Sequence, residues 1–292
     1  MSTPRFLRLP TGVGRTTLET SRGSFAALEA LPGSGVSERR PALLVPGYTG
    51  SKEDFLAVLQ PLAASGRRVV SIDLRGQYET PGPDDPSGYG RAALGEDVTA
   101  LLDVLGPDPV HLVGHSFGGL VTRESVLADL VRPASYTLMG SGPAGISGPT
   151  GARAAALRDA LPEMGMQAIW DISMEPELIA KGVPLEIVDF LKRRMLGTSE
   201  ASLIGMAREL LTAPDRTDEL AKHCADTGLR TLVLYGEDDD AWRPETQAAM
   251  AERLNADRVV IPSAAHSPAV EAPETTARAL IDFWNQAERA LG

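Results

Sequence analysis

The sequence has little cysteine, few aromatic side chains and no long apolar run. Cys224 is the single cysteine among 292 residues, so the chain can form no internal disulfide and is not typical of disulfide-stabilised secreted scaffolds. No stretch approaches the roughly 18 consecutive apolar residues that a transmembrane helix requires. The first residues also lack the apolar core of a signal peptide. We therefore expect no membrane span and a cytoplasmic location.

Positive charge is also scarce. The sequence has 28 lysines and arginines against 39 aspartates and glutamates, a formal net charge of −11. Proteins that bind nucleic acid concentrate positive charge on one face, so a nucleic-acid partner is not expected. The histidines show neither an H-E-x-x-H motif nor a short paired spacing, so we expect no metal and no cofactor. They are His111, His115, His223 and His266.

Apolar residues make up 43% of the chain, which is sufficient for a substantial core. Between residues 41 and 141, short apolar runs alternate with longer helix-like segments, and this pattern predicts a mostly parallel central sheet covered by helices. Residues 5–31 alternate weakly around glycines and predict an antiparallel hairpin at the sheet edge. The strands predicted from apolar runs in this half are residues 42–45, 69–72, 110–113 and 136–139.

Helices are predicted from apolar spacing and from end signals. Apolar residues from Leu94 to Leu105 share one helical face, and Ser51 followed by Asp54 is typical of a capped helix start. From residue 142 to 225 the strand pattern stops and prolines interrupt helix-like sequence, which predicts a helical insertion after the sixth strand. Five of the eight methionines fall there, and they either line an apolar pocket or pack the insertion's own core.

The strand pattern returns after this insertion. Residues 231–235 and 258–261 are predicted strands, and a helix is expected from residue 273 to 291. The fold class is therefore α/β. The expected division is a first part of the core at residues 1–141, a helical cap at 142–225 and a second part of the core at 226–292.

The segment from Gly114 to Gly119 reads Gly-His-Ser-Phe-Gly-Gly and lies between an apolar strand and a helix-like stretch. A serine bracketed by glycines at such a turn is typical of a nucleophile elbow, because only small neighbours let the strand and the helix pass closely. The positive end of the following helix would favour the negative charge that develops when Ser116 attacks a carbonyl. Glycine-rich turns also bind phosphates, so this motif needs support from the rest of the chain.

A serine nucleophile needs a base whose pKa lies near 7, and histidine provides one. His266 lies in a loop of small residues directly after a predicted strand, where its ring can reach the carboxyl end of the sheet. The other three histidines are expected to have packing roles. A carboxylate must in turn orient the base, and the acidic run from Glu237 to Asp240 follows the preceding predicted strand. One member of this run is expected to be the acid.

These motifs in combination resemble the α/β-hydrolase family, in the branch of esterases and lipases that use a serine nucleophile. The resemblance implies an α/β-hydrolase fold in which Ser116 is the nucleophile, His266 the general base and Asp239 the orienting acid. It also implies an oxyanion hole formed by the backbone amides of Tyr48 and Phe117. It runs from residue 41 to the C-terminus and is weakest in the insertion. The matching segments are residues 44–51, 73–76, 114–119, 236–239 and 265–268.

The sequence departs from the family's usual pattern at three places. A proline usually stands four residues after the acid, and Pro244 lies four after Asp240 rather than four after Asp239. The glycine spacing nevertheless favours Asp239, which leaves Asp240 as the alternative acid. Pro46 and Gln77 stand where the family often has histidine, and neither of them supplies a predicted oxyanion amide.

The reaction implied by the resemblance is hydrolysis of a carboxylic ester or related acyl substrate through an acyl-enzyme on Ser116. The same residues could serve cofactor-free perhydrolysis, C–C bond hydrolysis or acyl transfer, and a non-catalytic ligand-binding role is a further alternative. A dinucleotide-dependent oxidoreductase fits less well, because the glycines form no G-x-G-x-x-G and fall at the third strand of the parallel run. The expected partner is a small-molecule acyl substrate. The sequence does not indicate whether the chain is a monomer or an oligomer.

Overall fold

The computed structural model describes residues 1–34, 38–130 and 132–291 of the chain. Its centre is one eight-stranded sheet. The strands are β1 Val13–Thr20, β2 Gly23–Ala30, β3 Arg39–Val45, β4 Arg67–Ile72, β5 His111–His115, β6 Ser135–Met139, β7 Thr231–Gly236 and β8 Asp257–Ile261. Their spatial order is β1-β2-β4-β3-β5-β6-β7-β8, which places the hairpin at one edge of the sheet.

Strands β3 to β8 pair in parallel, whereas β1 and β2 form an antiparallel hairpin whose second strand also pairs antiparallel with β4. The prediction of a mostly parallel sheet with a hairpin at its edge is confirmed. The hairpin is shorter than predicted, because residues 5–12 precede β1 and form no strand. A turn closed by the Val13 N–H donating to the carbonyl of Pro10, at 3.1 Å, begins the first strand.

The central strands are buried on both faces, as expected for a parallel sheet between two layers of helices. β5 begins one residue later than predicted and ends two residues later, at His115. The reason is its pairing with β6, which continues through Gly114 opposite Leu138 and His115 opposite Met139. The strand therefore ends directly before Ser116.

Within the described part of the chain, nine helices lie between these strands and two more follow β8. The helix predicted to start after Ser51 is present, preceded by a 3₁₀ turn at Lys52–Phe55. The helix predicted to reach Leu105 is also present. The helices are α1 Leu56–Ala63, α2 Arg91–Val104, α3 Phe117–Ala128, α4 Gly148–Ile169, α5 Glu175–Ala180, α6 Leu185–Gly197, α7 Glu200–Thr212, α8 Thr217–Thr227, α9 Pro244–Leu254, α10 Pro268–Glu271 and α11 Pro273–Leu291.

Apolar side chains form a cluster on each face of the sheet. Helices α1 and α11 cover one face, and α2, α3, α8 and α9 cover the other. Within the described ranges, no helix is both long and apolar enough to cross a membrane.

Helices α4 to α8 all lie between β6 and β7, where the sequence predicts a helical insertion. Helices α4, α6 and α7 enclose a third apolar cluster around Trp170, which belongs to a π-helical turn at Trp170–Met174. Met166 and Met195 are buried in this cluster, which favours a packing role for them. Helix α8 packs against α3 and α9 instead. A cap bounded at residues 142 and 225 stays a prediction.

Helix α11 is attached to the sheet by stacking and by charge. The Trp284 indole stacks on the His111 ring, with ring centroids 5.1 Å apart, and Trp284 is fully buried. Glu288 Oε1 lies 3.0 Å from Arg67 Nη2 and 3.1 Å from His111 Nε2. Burial alone would raise the pKa of Glu288. The hydrogen bond from His111 and the charge of Arg67 outweigh it and lower this pKa to about 2.

We expect Trp284→Ala to lower the free energy of unfolding by about 3–5 kcal/mol, because it leaves a large cavity between α11 and the sheet. Urea unfolding followed by circular dichroism measures this change. Leu185, which is exposed on α6, provides the control, since Leu185→Ala should change the free energy of unfolding by less than about 0.5 kcal/mol. Equal effects of the two substitutions would contradict the packing described for α11.

The Glu288 carboxylate is expected to stabilise the fold in a pH-dependent way. Its pKa in the folded chain lies below the ordinary value of 4.5, so its contribution is present above pH 4.5 and is lost as the pH falls towards 2. The difference in free energy of unfolding between the parent and Glu288→Gln should therefore be largest above pH 4.5 and shrink below it. Urea unfolding between pH 6 and 3 tests this, with the exposed Glu274→Gln as control. A parent-to-variant difference that does not change with pH would refute the role.

Candidate active site

Ser116 lies on the tight turn between β5 and α3. Its φ of 56° and ψ of −123° are strained for a residue other than glycine. The Ser116 N–H donates to the carbonyl of Met139 on the neighbouring strand β6, at 2.9 Å, which holds the turn. A side chain at Gly118 would place its Cβ 2.5 Å from the carbonyl oxygen of Pro46. The strand, turn and helix predicted around Ser116 are therefore present.

His266 and Asp239 lie beside Ser116 at the carboxyl edge of the sheet. Ser116 Oγ is 2.9 Å from His266 Nε2, and His266 Nδ1 is 3.0 Å from Asp239 Oδ1. Because a carboxylate only accepts hydrogen bonds, Nδ1 carries the proton and Nε2 is free to accept the serine hydroxyl. The structure thus brings the three residues into one hydrogen-bonded chain, while their catalytic roles stay predictions.

The Asp239 side chain is fully buried and its oxygens have further partners. Oδ1 also accepts from the Ala241 N–H, and Oδ2 accepts from Gln247 Nε2, both at 2.9 Å. Gln247 lies on α9 and donates as well to the carbonyl of Trp242, at 2.7 Å. These bonds hold the Asp239 carboxylate in the orientation in which Oδ1 accepts from His266. Gln247 was not identified from the sequence, because no local pattern marks a glutamine that reaches the acid from a helix.

Asp240, the alternative acid, is exposed. Its backbone carbonyl accepts from Thr150 Oγ1 on α4, at 3.4 Å. Pro244, whose spacing pointed to Asp240, is the first residue of α9, a position that suits proline because the missing N–H has no partner in a helix. Within the acidic run, Asp239 is the residue whose carboxylate meets His266.

His115 is buried directly beside Ser116 and supports the loop that carries His266. His115 Nε2 donates to the backbone carbonyl of His266 at 2.8 Å, and the two ring centroids are 5.1 Å apart. Burial, followed by the charge of a protonated His266, lowers the pKa of His115 to about 4. His115 is therefore neutral at physiological pH and does not compete with His266 as a base. The packing role predicted for it includes this hydrogen bond.

The predicted oxyanion residues Tyr48 and Phe117 belong to the two segments that flank Ser116. Phe117 is the first residue of α3, and Tyr48 lies on the loop between β3 and the 3₁₀ turn that precedes α1. A Cβ at the adjacent Gly47 would lie 2.9 Å from the Cβ of Ser116, so this loop touches the serine. The Tyr48 hydroxyl donates to the carbonyl of Leu203 on α7, at 3.0 Å. The oxyanion role of the two amides stays a prediction.

Gln77 also reaches this loop, although the sequence reasoning gave it no role. Its side-chain amide is fully buried and donates to the carbonyl oxygens of Gly47 and Tyr48. Gln77 follows the Asp-x-Arg-Gly segment after β4. This segment could have placed Gln77 near the loop containing Tyr48, but it does not indicate which backbone groups the side chain binds.

A second group of buried charges surrounds Lys52, whose Nζ lies 2.8 Å from Asp73 Oδ2 and 3.2 Å from Glu53 Oε1. Among the described residues, no three histidine, cysteine, aspartate or glutamate side chains are grouped closely enough to hold a metal ion. Cys224 is buried on α8, where burial raises the pKa of its thiol.

Two curated relatives align with most of this chain. A Pseudomonas putida protein, named dihydrolipoyllysine-residue acetyltransferase component of acetoin cleaving system, is 30% identical over 250 residues, covering 83% of this chain and 63% of that protein. A Paraburkholderia xenovorans protein, named 2-hydroxy-6-oxononadienedioate/2-hydroxy-6-oxononatrienedioate hydrolase, is 24% identical over 252 residues, covering 82% of this chain and 80% of that protein. A Variovorax paradoxus protein, named as a carbamate hydrolase, is 35% identical over 105 residues, which is 36% of this chain and 39% of that protein. This chain thus spans less than two thirds of the length of most of these curated relatives.

Among solved structures, a thermophilic esterase from Thermogutta terrifontis shares the fold. It superposes with a TM-score of 0.70 at 24% identity, covering 94% of this chain and 99% of the esterase. The family model described as alpha/beta hydrolase family matches residues 42–279, from β3 into α11. This match includes Ser116, Asp239 and His266 and extends over well more than half of the chain. The resemblance seen in the motifs is confirmed: the chain belongs to the alpha/beta hydrolase family.

Proposed function

We propose that this protein is a serine hydrolase that cleaves a carboxylic ester or a related acyl substrate through an acyl-enzyme on Ser116. The observation that carries the proposal is the hydrogen-bonded chain from Ser116 Oγ through His266 to Asp239, with distances of 2.9 and 3.0 Å. In a hydrogen-bonded series of serine, histidine and buried carboxylate, the histidine acts as the base that activates the hydroxyl, and the carboxylate orients the histidine.

In the proposed acylation, Ser116 Oγ bonds to the acyl carbon while His266 Nε2 takes the hydroxyl proton. The substrate carbonyl oxygen becomes an oxyanion, which the amides of Tyr48 and Phe117 stabilise together with the positive end of α3. Asp239 keeps the Nδ1 proton in place and stabilises the imidazolium. The intermediate then collapses, the carbon–oxygen bond to the alcohol breaks, and His266 gives its proton to the leaving alkoxide.

Deacylation repeats these steps with water in place of the serine. His266 takes a proton from water as the water oxygen bonds to the acyl carbon, and the bond to Ser116 Oγ then breaks. Ser116 recovers its proton from His266, and the carboxylic acid leaves. Each proton transfer uses only Ser116, His266 and water, and the backbone amides stabilise the charge, so the proposed reaction requires no cofactor.

The helices between β6 and β7 are proposed to act as the cap that selects the substrate. Two contacts support this view. The Leu203 carbonyl of α7 accepts the Tyr48 hydroxyl. Arg194 of α6 forms a buried ion pair with Asp54, at 2.8 Å, in the 3₁₀ turn that follows the loop containing Gly47 and Tyr48, here called the oxyanion loop. The proposed cap, residues 142–225, is thus fixed to the segment that flanks Ser116.

Acyl transfer and C–C bond hydrolysis are the alternatives that the named relatives support. The Pseudomonas putida relative is named an acetyltransferase component, and the Paraburkholderia xenovorans relative is a hydrolase whose name gives long oxo-dioate substrates. Both reactions and perhydrolysis could use the same serine. A non-catalytic ligand-binding role would leave the hydrogen-bonded chain between Ser116, His266 and Asp239 without a use.

The central test is the substitution Ser116→Ala. We expect turnover of activated esters to fall by more than about 10³-fold, because the attacking oxygen is removed. A fluorophosphonate should label the parent at Ser116 and leave the variant unlabelled, and a panel of esters, thioesters, lactones and vinylogous diketones should define the acyl class. A parent that neither turns over any member of the panel nor becomes labelled would refute the proposal.

Asp239→Asn and Asp240→Asn form a matched pair that tests the acid. Asp239→Asn should lower turnover on the order of 10⁴-fold, because an amide in place of the carboxylate favours the wrong tautomer of His266. Asp240→Asn removes the same charge one residue away, at an exposed position, and should keep nearly the parent's turnover. Steady-state kinetics with one activated ester measures both. The reverse ranking would reassign the acid to Asp240.

A further inference from the structure

The Gln77 side-chain amide lies in the interior, where each of its polar atoms has a partner. Gln77 is fully buried. Nε2 donates to the carbonyl of Gly47 at 2.8 Å and to that of Tyr48 at 3.0 Å, while Oε1 accepts the Leu74 N–H at 3.0 Å. The orientation of the amide is fixed by these partners, because two carbonyls need a donor and one N–H needs an acceptor.

The two carbonyls that Gln77 binds belong to the peptide groups on either side of Tyr48. In a planar trans peptide the C=O and N–H point in opposite directions, and the described residues contain no cis peptide. Fixing the Gly47 carbonyl therefore fixes the direction of the Tyr48 N–H. Fixing the Tyr48 carbonyl holds the next peptide plane as well. One side-chain nitrogen thus determines the backbone conformation on both sides of Tyr48.

The loop has few other restraints on this peptide. The Gly50 N–H also donates to the Gly47 carbonyl, at 3.1 Å, and closes a tight turn. Gly47 itself lies against Ser116 and has no side chain to anchor. Gln77 in turn is held in the turn that follows β4, because its own N–H donates to the Leu74 carbonyl at 2.9 Å and its carbonyl accepts the Thr80 N–H at 2.8 Å. The restraint therefore comes from the turn after the neighbouring strand.

We infer that Gln77 is a positioning residue for the oxyanion hole, which aims the Tyr48 N–H at the oxygen of the acyl group. The inference rests on the proposed serine hydrolase function. An oxyanion donor is effective only if it is oriented before the negative charge develops, since reorientation during the reaction costs free energy. Gln77 touches neither the substrate nor Ser116, and it acts through the Gly47–Tyr48 peptide.

Three substitutions of Gln77 separate its donor function from its volume. Gln77→Glu keeps the shape and the acceptor for Leu74 but removes both donors, and Gln77→Met keeps the approximate volume without charge. Gln77→His retains a ring N–H that can serve one carbonyl at a time. We expect kcat/KM for an activated ester to fall by about 10–10²-fold in the Glu and Met variants, less than for complete loss of an oxyanion donor. The His variant should recover part of the loss.

The discriminating readout is affinity for an inhibitor that forms an oxyanion. A trifluoromethyl ketone adds to the serine and places an oxyanion in the hole, so its inhibition constant should rise by the same factor by which kcat/KM falls. KM should change little, because the ground-state carbonyl depends less on the donor. A general loss of folded protein would lower kcat in proportion to the folded fraction and leave the inhibition constant unchanged.

Thr80→Val is the matched control. Thr80 is buried in the same turn as Gln77, but its Oγ1 accepts the Ala26 N–H of β2 at 2.9 Å instead of binding the oxyanion loop. It should lower the melting temperature without changing the inhibition constant. If the Gln77 variants match Thr80→Val in both kcat/KM and inhibition constant, the positioning role is refuted while the proposed function stands. A parent that resembles Ser116→Ala in turnover and labelling would refute the proposed function, and the role of Gln77 with it.

Discussion

The turn at Ser116 is the constraint on which the surrounding structure depends. A serine with a φ of 56° between a strand and a helix requires that α3 start almost in contact with the end of β3. A Cβ added at Gly118 would collide with the carbonyl oxygens of Val45 and Pro46. A Cβ added at Gly119 would lie 2.5 Å from the Cβ of Ser141. No larger residue fits at either position without moving backbone. This close approach is also what brings the loop containing Tyr48 to the serine, because β3 and β5 are neighbours in the sheet.

The parallel arrangement of the strands places the remaining groups at the same edge. Asp239 follows β7 and His266 follows β8, and their loops are joined by the Asp238 N–H, which donates to the carbonyl of Ala264 at 3.0 Å. Gly236 has no room for a Cβ, which would collide with the carbonyl of Ala265. The distance between Asp239 and His266 is thus set by backbone contacts. The side chains of His115 and Gln247 then fix the loop and the carboxylate from the two sides.

The parts of this arrangement that depend on local sequence could be predicted, and the parts that depend on contacts between distant segments could not. Ser116, Asp239 and His266 each follow an apolar strand at a glycine or small-residue turn, and their pattern and order predict the grouping that the structure shows. Gln77 and Gln247 are single amides in polar segments, with no periodicity to distinguish them from surface residues. Their partners lie about thirty and eight residues away and become neighbours only after β4 and α9 have packed. The limits of the hairpin and of β5 were missed for a similar reason, since strand pairing decides where a strand ends.

The loop containing Tyr48 is held from two separate parts of the fold, the turn after β4 and helix α7. Gln77 fixes the Gly47–Tyr48 peptide from the β4 side, while the Tyr48 hydroxyl is fixed to the carbonyl of Leu203 on α7. The backbone of Tyr48 is therefore held by the turn after β4, while its side chain is held by α7. A shift of α7 relative to the sheet must either break the hydroxyl bond or pull on Tyr48 against the restraint from Gln77. The position of the peptide next to Ser116 thus depends on α7 keeping its contact with Tyr48.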